Sequence, residues 1–328
     1  EGALVEALGK LKPGDKAQQI LQALTVIGPQ KPETAHAAIP LLKHSEFTTR
    51  WTAMLVLQAL GPVAKEAIPE LVKIARESED KSDSVFALNA LVAIDQERKT
   101  ALPVLREFLQ STDSHKRYAA LVHAVMMEPQ PSELLPEILA CLKDREKLVR
   151  SEALDALSWQ DPDAKVLKQH VAPFLKDEDF ECRCKAAKML AKAGLALDEV
   201  LVVLRDGIKH EQRWARERSI EVAGELGEKA KELLPLVIER LDDQDEAVRS
   251  AALSALRKIG KPPAEVLPKL IGFLKAENYF IRWMAVQALE AMGPTAKEAV
   301  PALQGLKDDP NKLVRLYVKS ALEKIEGK

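Results

Sequence analysis

The sequence returns to itself every 33 residues. Stepping back from Arg315 by 33 gives Arg282, Arg249, Arg216, Arg183, Arg150 and Arg117. The next step reaches Ser84, a step of 34 reaches Arg50, and a last step of 33 reaches Ala17. After the ladder position the apolar residues return at helical spacing; around Ser84 they are Ala87, Leu88, Leu91 and Ile94. That is the 3.6-residue period of an amphipathic helix. Units of this kind bury their apolar faces only against their neighbours, so the core grows along a line.

The stop signal repeats too. Eleven residues after the ladder position stand Gly28, Gly61, Gly194, Gly227, Gly260 or Gly293, and a glycine there caps a helix in the left-handed conformation. The other four copies carry Asp95, Glu128, Asp161 and Glu326, so a different cap is expected. A second helix precedes each ladder residue. Thr295 to Glu298 reads as a capping box at its start, and Asp309-Pro310 as the N-cap and first position of the helix that follows. Prolines fourteen residues before the ladder, at Pro103, Pro136, Pro235, Pro268 and Pro301, are expected to kink or shorten this first helix. At Pro40 and Pro173 the proline is displaced, and a different bend follows.

Bulk properties agree with closely packed helices. The 328 residues are 47% hydrophobic and 30% charged but only 4% aromatic, which disfavours a β-sandwich. A net charge of −2 gives no global signal for nucleic acid, although residues 251–328 hold 13 Lys/Arg against 8 Asp/Glu. Three cysteines, Cys141, Cys182 and Cys184, read as reduced thiols. No apolar run is long enough to span a bilayer, so membrane insertion is not expected. The chain starts at Glu1, which fits a trimmed leader or a piece of a larger chain or complex, and its compartment is left open beyond a cytoplasmic default.

These residues resemble HEAT repeats, in particular the short bacterial kind related to phycobilisome lyases. The resemblance is carried by Leu142-Lys143-Asp144 closing one helix, Val149-Arg150 opening the next, and the Ala-Leu and Ile-Gly pairs that follow, as at Ala255-Leu256 and Ile259-Gly260. It implies an all-α, right-handed α-solenoid of about ten two-helix repeats over residues 1–328. A partial first unit would span 1–28, central repeats 29–310 and a capping helix 311–328. Residues 1–12, with Leu4, Val5, Leu8 and Leu11, would add a short covering helix or form the cut edge of a larger array. In the family pattern the Asp and Arg six residues apart stabilise turns between stacked units. Ser84 lacks the Arg, and His44, Ser111, His210 and Ala276 replace the Asp, so those units are expected to stack by apolar contact.

Catalytic chemistry finds little support. Some HEAT-like proteins, deoxyhypusine hydroxylase among them, hold two irons with several His-Glu dyads, whereas this chain has His210-Glu211 alone, expected in a turn. Cys182 and Cys184 with His170 upstream read as helix residues, not a metal site, and no Gly-rich phosphate loop or nucleophile elbow occurs. No catalytic residue, cofactor or metal is therefore expected. HEAT-like alkylpurine DNA glycosylases grip nucleic acid in a basic groove, but here Glu217, Glu221 and Glu225 interrupt any track through Lys192, Arg257, Lys258 and Lys324.

The sharper signal lies at second-helix positions that the core does not need. Beside the ladder stand Trp51, Val85, Tyr118, Trp283 and Leu316, and one residue further Phe86, Met284 and Tyr317; Leu55, Val122, Met126 and Trp159 follow along the same helices. If the second helix lines the concave side, as the resemblance implies, Trp51, Leu55, Phe86, Tyr118, Val122, Met126 and Trp159 form one apolar stripe, and Trp283 and Tyr317 another. Aromatic side chains in such a stripe anchor partners or simply pack between helices. Units six to eight, with Lys185, Lys188, Glu217, Arg218 and Glu221, read as a solvated face. The expected function is a non-catalytic scaffold that binds a protein or peptide. The alternatives are a lyase- or chaperone-like subunit acting on a cofactor-bearing protein, and a nucleic-acid-binding HEAT protein.

Overall fold

A computed structural model describes residues 1–9, 17–127 and 129–327. Leu11, Glu128 and Lys328 lie outside these, so the covering helix is described only as far as Gly9 and the Glu128 cap not at all. The chain divides into two compact units, 1–162 and 163–328.

The first unit runs α1 (Gly2–Gly9), α2 (Ala17–Ile27), α3 (Pro32–Ala38), α4 (Phe47–Leu60), α5 (Ile68–Glu77), α6 (Lys81–Ile94), α7 (Ala101–Leu109), α8 (Ser114–Met126), α9 (Leu135–Cys141) and α10 (Lys147–Trp159). The second runs α11 (Ala164–Val166), α12 (Phe180–Ala193), α13 (Leu197–Ile208), α14 (Arg213–Leu226), α15 (Leu234–Glu239), α16 (Glu246–Ile259), α17 (Leu267–Phe273), α18 (Tyr279–Met292), α19 (Val300–Gln304) and α20 (Lys312–Glu326). Odd helices are the first of each repeat and even helices the second. Each even helix packs on the next within its unit, as α2 on α4 and α14 on α16 do. This is an α-solenoid, and the ladder positions all fall on even helices. Their apolar residues, such as Ala53, Leu57, Ala87, Leu88, Leu91, Ala252 and Leu256, form the core.

Proline sets the shape of the odd helices. Pro136, Pro235, Pro268 and Pro301 sit in the first turn of α9, α15, α17 and α19, where the missing N–H costs no helical bond. Short 3-10 turns lead into all four helices. The displaced Pro40 and Pro173 instead lie inside 3-10 turns, Ile39–Lys43 and Ala172–Lys176, that end the first helix early. Ahead of Pro173 the chain also makes a π turn, Leu167–Val171.

Two expected helix starts are corrected. The Thr295 hydroxyl donates back to the Met292 carbonyl at 2.8 Å and caps nothing downstream, and α19 begins only at Val300. Asn311, not Asp309, is the N-cap of α20, its side chain accepting from the Leu313 N–H. Gly194 takes the expected left-handed cap, and Gly28, Gly61, Gly227 and Gly293 also have positive φ. Gly61, Gly227 and Gly293 pair it with ψ of −136°, −134° and −139° and open 3-10 turns, and Gly260 is extended. Asp161 itself adopts positive φ, and the last helix is capped one residue late by Gly327. Asp95 works differently: its carboxylate accepts from the Thr100 and Ala101 N–H groups at 2.6 and 2.7 Å, so it closes α6 and starts α7.

The arginine ladder is a stacking device, with a partner other than the expected one. Each Arg uses Nη1 to donate to the carbonyls five and six residues before it, as Arg117 does to Ser111 and Thr112 at 2.8 and 3.0 Å. For Arg117, Arg216 and Arg282 the side-chain partner is the Asp of the following repeat, 27 residues ahead, whereas Arg50 reaches Asp83, 33 ahead. Arg216 forks Asp243 at 2.8 and 2.9 Å, and Arg282 forks Asp309 at 2.7 and 2.9 Å. The same aspartates accept the N–H two residues on, from Asp245 and Asn311. The Arg282 hydrogen bond holds the Asp309 carboxyl below its usual range. Burial pushes Asp243 up, but the hydrogen bonds from Arg216 and Asp245 outweigh it and the net shift is downward.

Some substitutions match across this register, and others stand alone. Ser84 lacks the Arg, and Ser111, 27 residues ahead, lacks the Asp that Arg would have forked. The Ser84 hydroxyl instead donates to the Ala75 carbonyl at 2.5 Å. At Arg183 the missing Asp is His210, whose ring stacks on Phe180 at 4.6 Å while the guanidinium lies over the other ring at 4.8 Å.

Candidate protein-binding surface

In the first unit the ladder lapses between α6 and α8. These two helices touch each other less than α4 and α6 or α8 and α10 do. In place of the fork stand the local bond of Ser84, a Lys116 Nζ to Arg76 carbonyl bond at 3.2 Å, and Lys81 Nζ reaching His115 at 3.2 Å and Asp113 at 3.5 Å. A cavity of about 1210 Å³ opens there along the outer faces of α6 and α8 and reaches α4 and α10. Val85, Val92, Tyr118, Val122, Met126 and Leu148 give it an apolar wall. Asn89 stands past the middle of α6 and His123 in the last turn of α8. Arg98 lies at the end where those helices finish, and Glu146 at the end where α8 and α10 begin.

The expected stripe residues divide by environment. Tyr118, Val122 and Met126 share this cavity, and Met126 is 69% exposed. Trp159, 61% exposed, stands at the far end of α10, away from the cavity lining. Trp51 and Phe86 are half-buried and meet across α4 and α6 with rings 5.9 Å apart, with Phe47 on the other side of Phe86 at 6.4 Å; Leu55 is half-buried on α4. In the second unit Trp283 touches Tyr317 at 5.7 Å and Phe280 at 5.5 Å. Met284 is buried in the core, whereas Leu316 is exposed. The indole N–H groups of Trp51 and Trp283 are both buried without a hydrogen-bond partner.

A position two residues before the ladder was missed. Leu148, Trp214, Phe280 and Leu313 all occupy it, and all are exposed. Stepping by 33 from Leu148 would have found them. Trp214 interrupts the face expected to be solvated, closing on Phe180 at 5.9 Å.

His123 is 7% exposed and makes no hydrogen bond or ion pair among the described residues. Burial alone lowers its pKa to about 4, so it is neutral at pH 7 and keeps one N–H donor and one nitrogen acceptor. The Asn89 carbonyl oxygen is also buried without a partner. Such groups cost free energy unless something completes them.

Elsewhere, Cys141, Cys182 and Cys184 are buried, and burial raises the thiols of Cys141 and Cys184 to about 11. Among the described residues no three His, Cys, Asp or Glu side chains converge to hold a metal ion, and no helix is long and apolar enough to cross a membrane. In the second unit a smaller cavity of about 540 Å³ between α14 and α16 is lined by Glu217, Glu221 and Glu225 with Lys258, an acidic surface that repels a phosphate backbone. Lys324 is occupied by Glu290 at 2.8 Å.

Comparison with known proteins bears on the whole chain. No curated protein matches it. It is similar to the crystal structure of an engineered protein from the Northeast Structural Genomics Consortium, with a TM-score of 0.57 and 18% identity over 99% of this chain and 98% of that one. It is similar too to importin beta crystallised in an ammonium sulfate condition, with a TM-score of 0.58 and 15% identity, covering 99% of this chain and 51% of that one. At such identities the likeness is one of fold. The sequence matches HEAT repeats over residues 68–158, 135–224, 201–264 and 234–323, which together take in well over half of it. With the two-helix units and the arginine ladder, that match makes the chain a member of the HEAT-repeat family.

Proposed function

We propose that this chain is a non-catalytic scaffold that binds a protein or peptide on the even-helix face of its first unit. The observation that carries it is the cavity at the lapse of the ladder, with Tyr118, Val122, Met126 and Leu148 presented together to solvent. Solvated apolar side chains gathered in one place mark association surfaces, and aromatic residues among them supply the anchors. HEAT solenoids commonly serve as protein-interaction scaffolds, which agrees with this use of the surface. A chaperone-like role toward a cofactor-bearing protein would draw on the same groove and is a special case of the proposal. Trp51 and Phe86, or Trp283 and Tyr317, serve as rigid aromatic walls beside such a surface more readily than as free anchors, since their rings already pack on each other.

The test is site-directed photo-crosslinking. A benzophenone side chain at Val122 is expected to capture one partner in stoichiometric yield, and the same group at Lys73 on α5 to capture none. Equal capture from both positions, or none from Val122 in cells that express the chain natively, would remove the proposal.

A further inference from the structure

We infer that the occupant of the α6–α8 groove is an amphipathic helix with an amide side chain at the centre of its apolar face, lying antiparallel to α6 and α8. It rests on the binding role proposed above and adds what the partner must look like.

The lining has an order. Along α6 the groove is met by Val85, then Asn89, then Val92; along α8 by Tyr118 and Val122, then His123, then Met126. The polar pair is thus flanked by apolar residues on both helices. Asn89 Oδ1 is buried and unpartnered, and His123 is more than nine-tenths buried and makes no hydrogen bond among the described residues. A purely aliphatic occupant would leave both polar groups without a hydrogen-bond partner. A glutamine or asparagine supplies an N–H to donate to Asn89 Oδ1 and both a donor and an acceptor for a neutral imidazole. A charged side chain would instead be desolvated without an opposite charge.

Charge sets the direction. Arg98 and the C-terminal ends of α6 and α8 stand at one end, Glu146 and the N-terminal ends of α8 and α10 at the other. Neither Arg98 nor Glu146 has a side-chain partner among the described residues. A helix whose N-terminus lies at the Arg98 end opposes its dipole to those of α6 and α8. Acidic residues in its first turn then meet Arg98, and basic residues in its last turn meet Glu146. With 13 residues in α8, the occupant is about 13 residues long, or about 20 Å. Such a helix engages the groove through apolar residues at i, i+3, i+4 and i+7.

Three fourteen-residue helical peptides test this by fluorescence anisotropy against the full chain. One has two Glu in the first turn, a leucine face with a central Gln, and two Lys in the last turn; the second replaces the Gln with Leu; the third exchanges the Glu and Lys pairs. The Gln peptide is expected to bind about fivefold tighter than either, the worth of roughly one net hydrogen bond. Asn89→Leu should erase its advantage over the Leu peptide while the chain's circular dichroism stays unchanged; His123→Leu is the second variant should the first unfold. Equal binding of Gln and Leu peptides, with affinity lost on Tyr118→Ala and Met126→Ala, would overturn the inference and leave the scaffold role standing. Binding by none of them, or binding indifferent to Tyr118→Ala and Met126→Ala, would overturn both.

Discussion

Arg216 grips Asp243, 27 residues ahead in the next repeat, through two hydrogen bonds of 2.8 and 2.9 Å, with both side chains buried. The same guanidinium donates to the His210 and Glu211 carbonyls, so one residue ties its own turn to the repeat that follows. Removing one member leaves a buried charge alone. Asp243→Ala is therefore expected to cost about 3–5 kcal/mol, and the paired exchange Arg216→Met with Asp243→Leu considerably less. Arg249, whose position 27 ahead is Ala276, has no such fork, and Arg249→Ala should cost about 1–2 kcal/mol. Urea-unfolding midpoints of the four proteins check the order.

Asp95 replaces a capping glycine and accepts two N–H groups at the start of α7. Asp95→Ala is expected to lose about 1–2 kcal/mol, as losing a helix cap does. Because Asp95 also lines the groove, hydrogen exchange should quicken over 95–104 before it does over α4.

His123 makes stability depend on pH. Its folded pKa of about 4 lies below the ordinary 6.5, so the unfolded chain takes up the proton first. This contribution is complete above pH 6.5 and is lost as pH falls from there toward 4, by up to about 3 kcal/mol. Below pH 4 the loss of charge at Asp309, whose folded pKa is lowered, removes more. His123→Leu should flatten the fall between pH 6.5 and 4 in thermal melts and leave the lower limb in place.

Two glycines on odd helices should respond oppositely to alanine. A Cβ at Gly207 would lie 1.9 Å from the Ser219 hydroxyl and 2.8 Å from its Cβ, so Gly207→Ala is expected to destabilise by about 1–3 kcal/mol. A Cβ at Gly272 meets nothing within 4 Å, and Gly272→Ala should stabilise α17 by about 0.5–1 kcal/mol. Differential scanning of the two variants separates the signs.

Much of this was legible from spacing. The ladder located every even helix, because the apolar period of 3.6 and the repeat of 33 are both written in single residues. The arginines' partner was not. Asp144 and Arg150 are close in sequence and invite a local pairing, while the fork from Arg117 to Asp144 exists only once repeats are stacked. Thr295 failed as a capping box because Gly293-Pro294 winds that stretch into a 3-10 turn first. At the groove, the substitution at Ser84 could be read, but the separation of α6 from α8 depends on packing that no single position records. Leu148 and Asn89 escaped notice for that reason, although Tyr118, Val122 and Met126 did not.

On the proposed function, binding centres on the groove beside Tyr118 and not on the aromatic pair Trp283 and Tyr317. The most direct measurement is the affinity of the segment crosslinked at Val122, made as a synthetic peptide, for three forms of the full chain. Relative to the unaltered chain, Tyr118→Ala with Met126→Ala is expected to weaken binding by about a hundredfold, as loss of two anchoring side chains does. Trp283→Ala with Tyr317→Ala should leave it within about twofold. The opposite order would place the binding surface at Trp283 and Tyr317 instead.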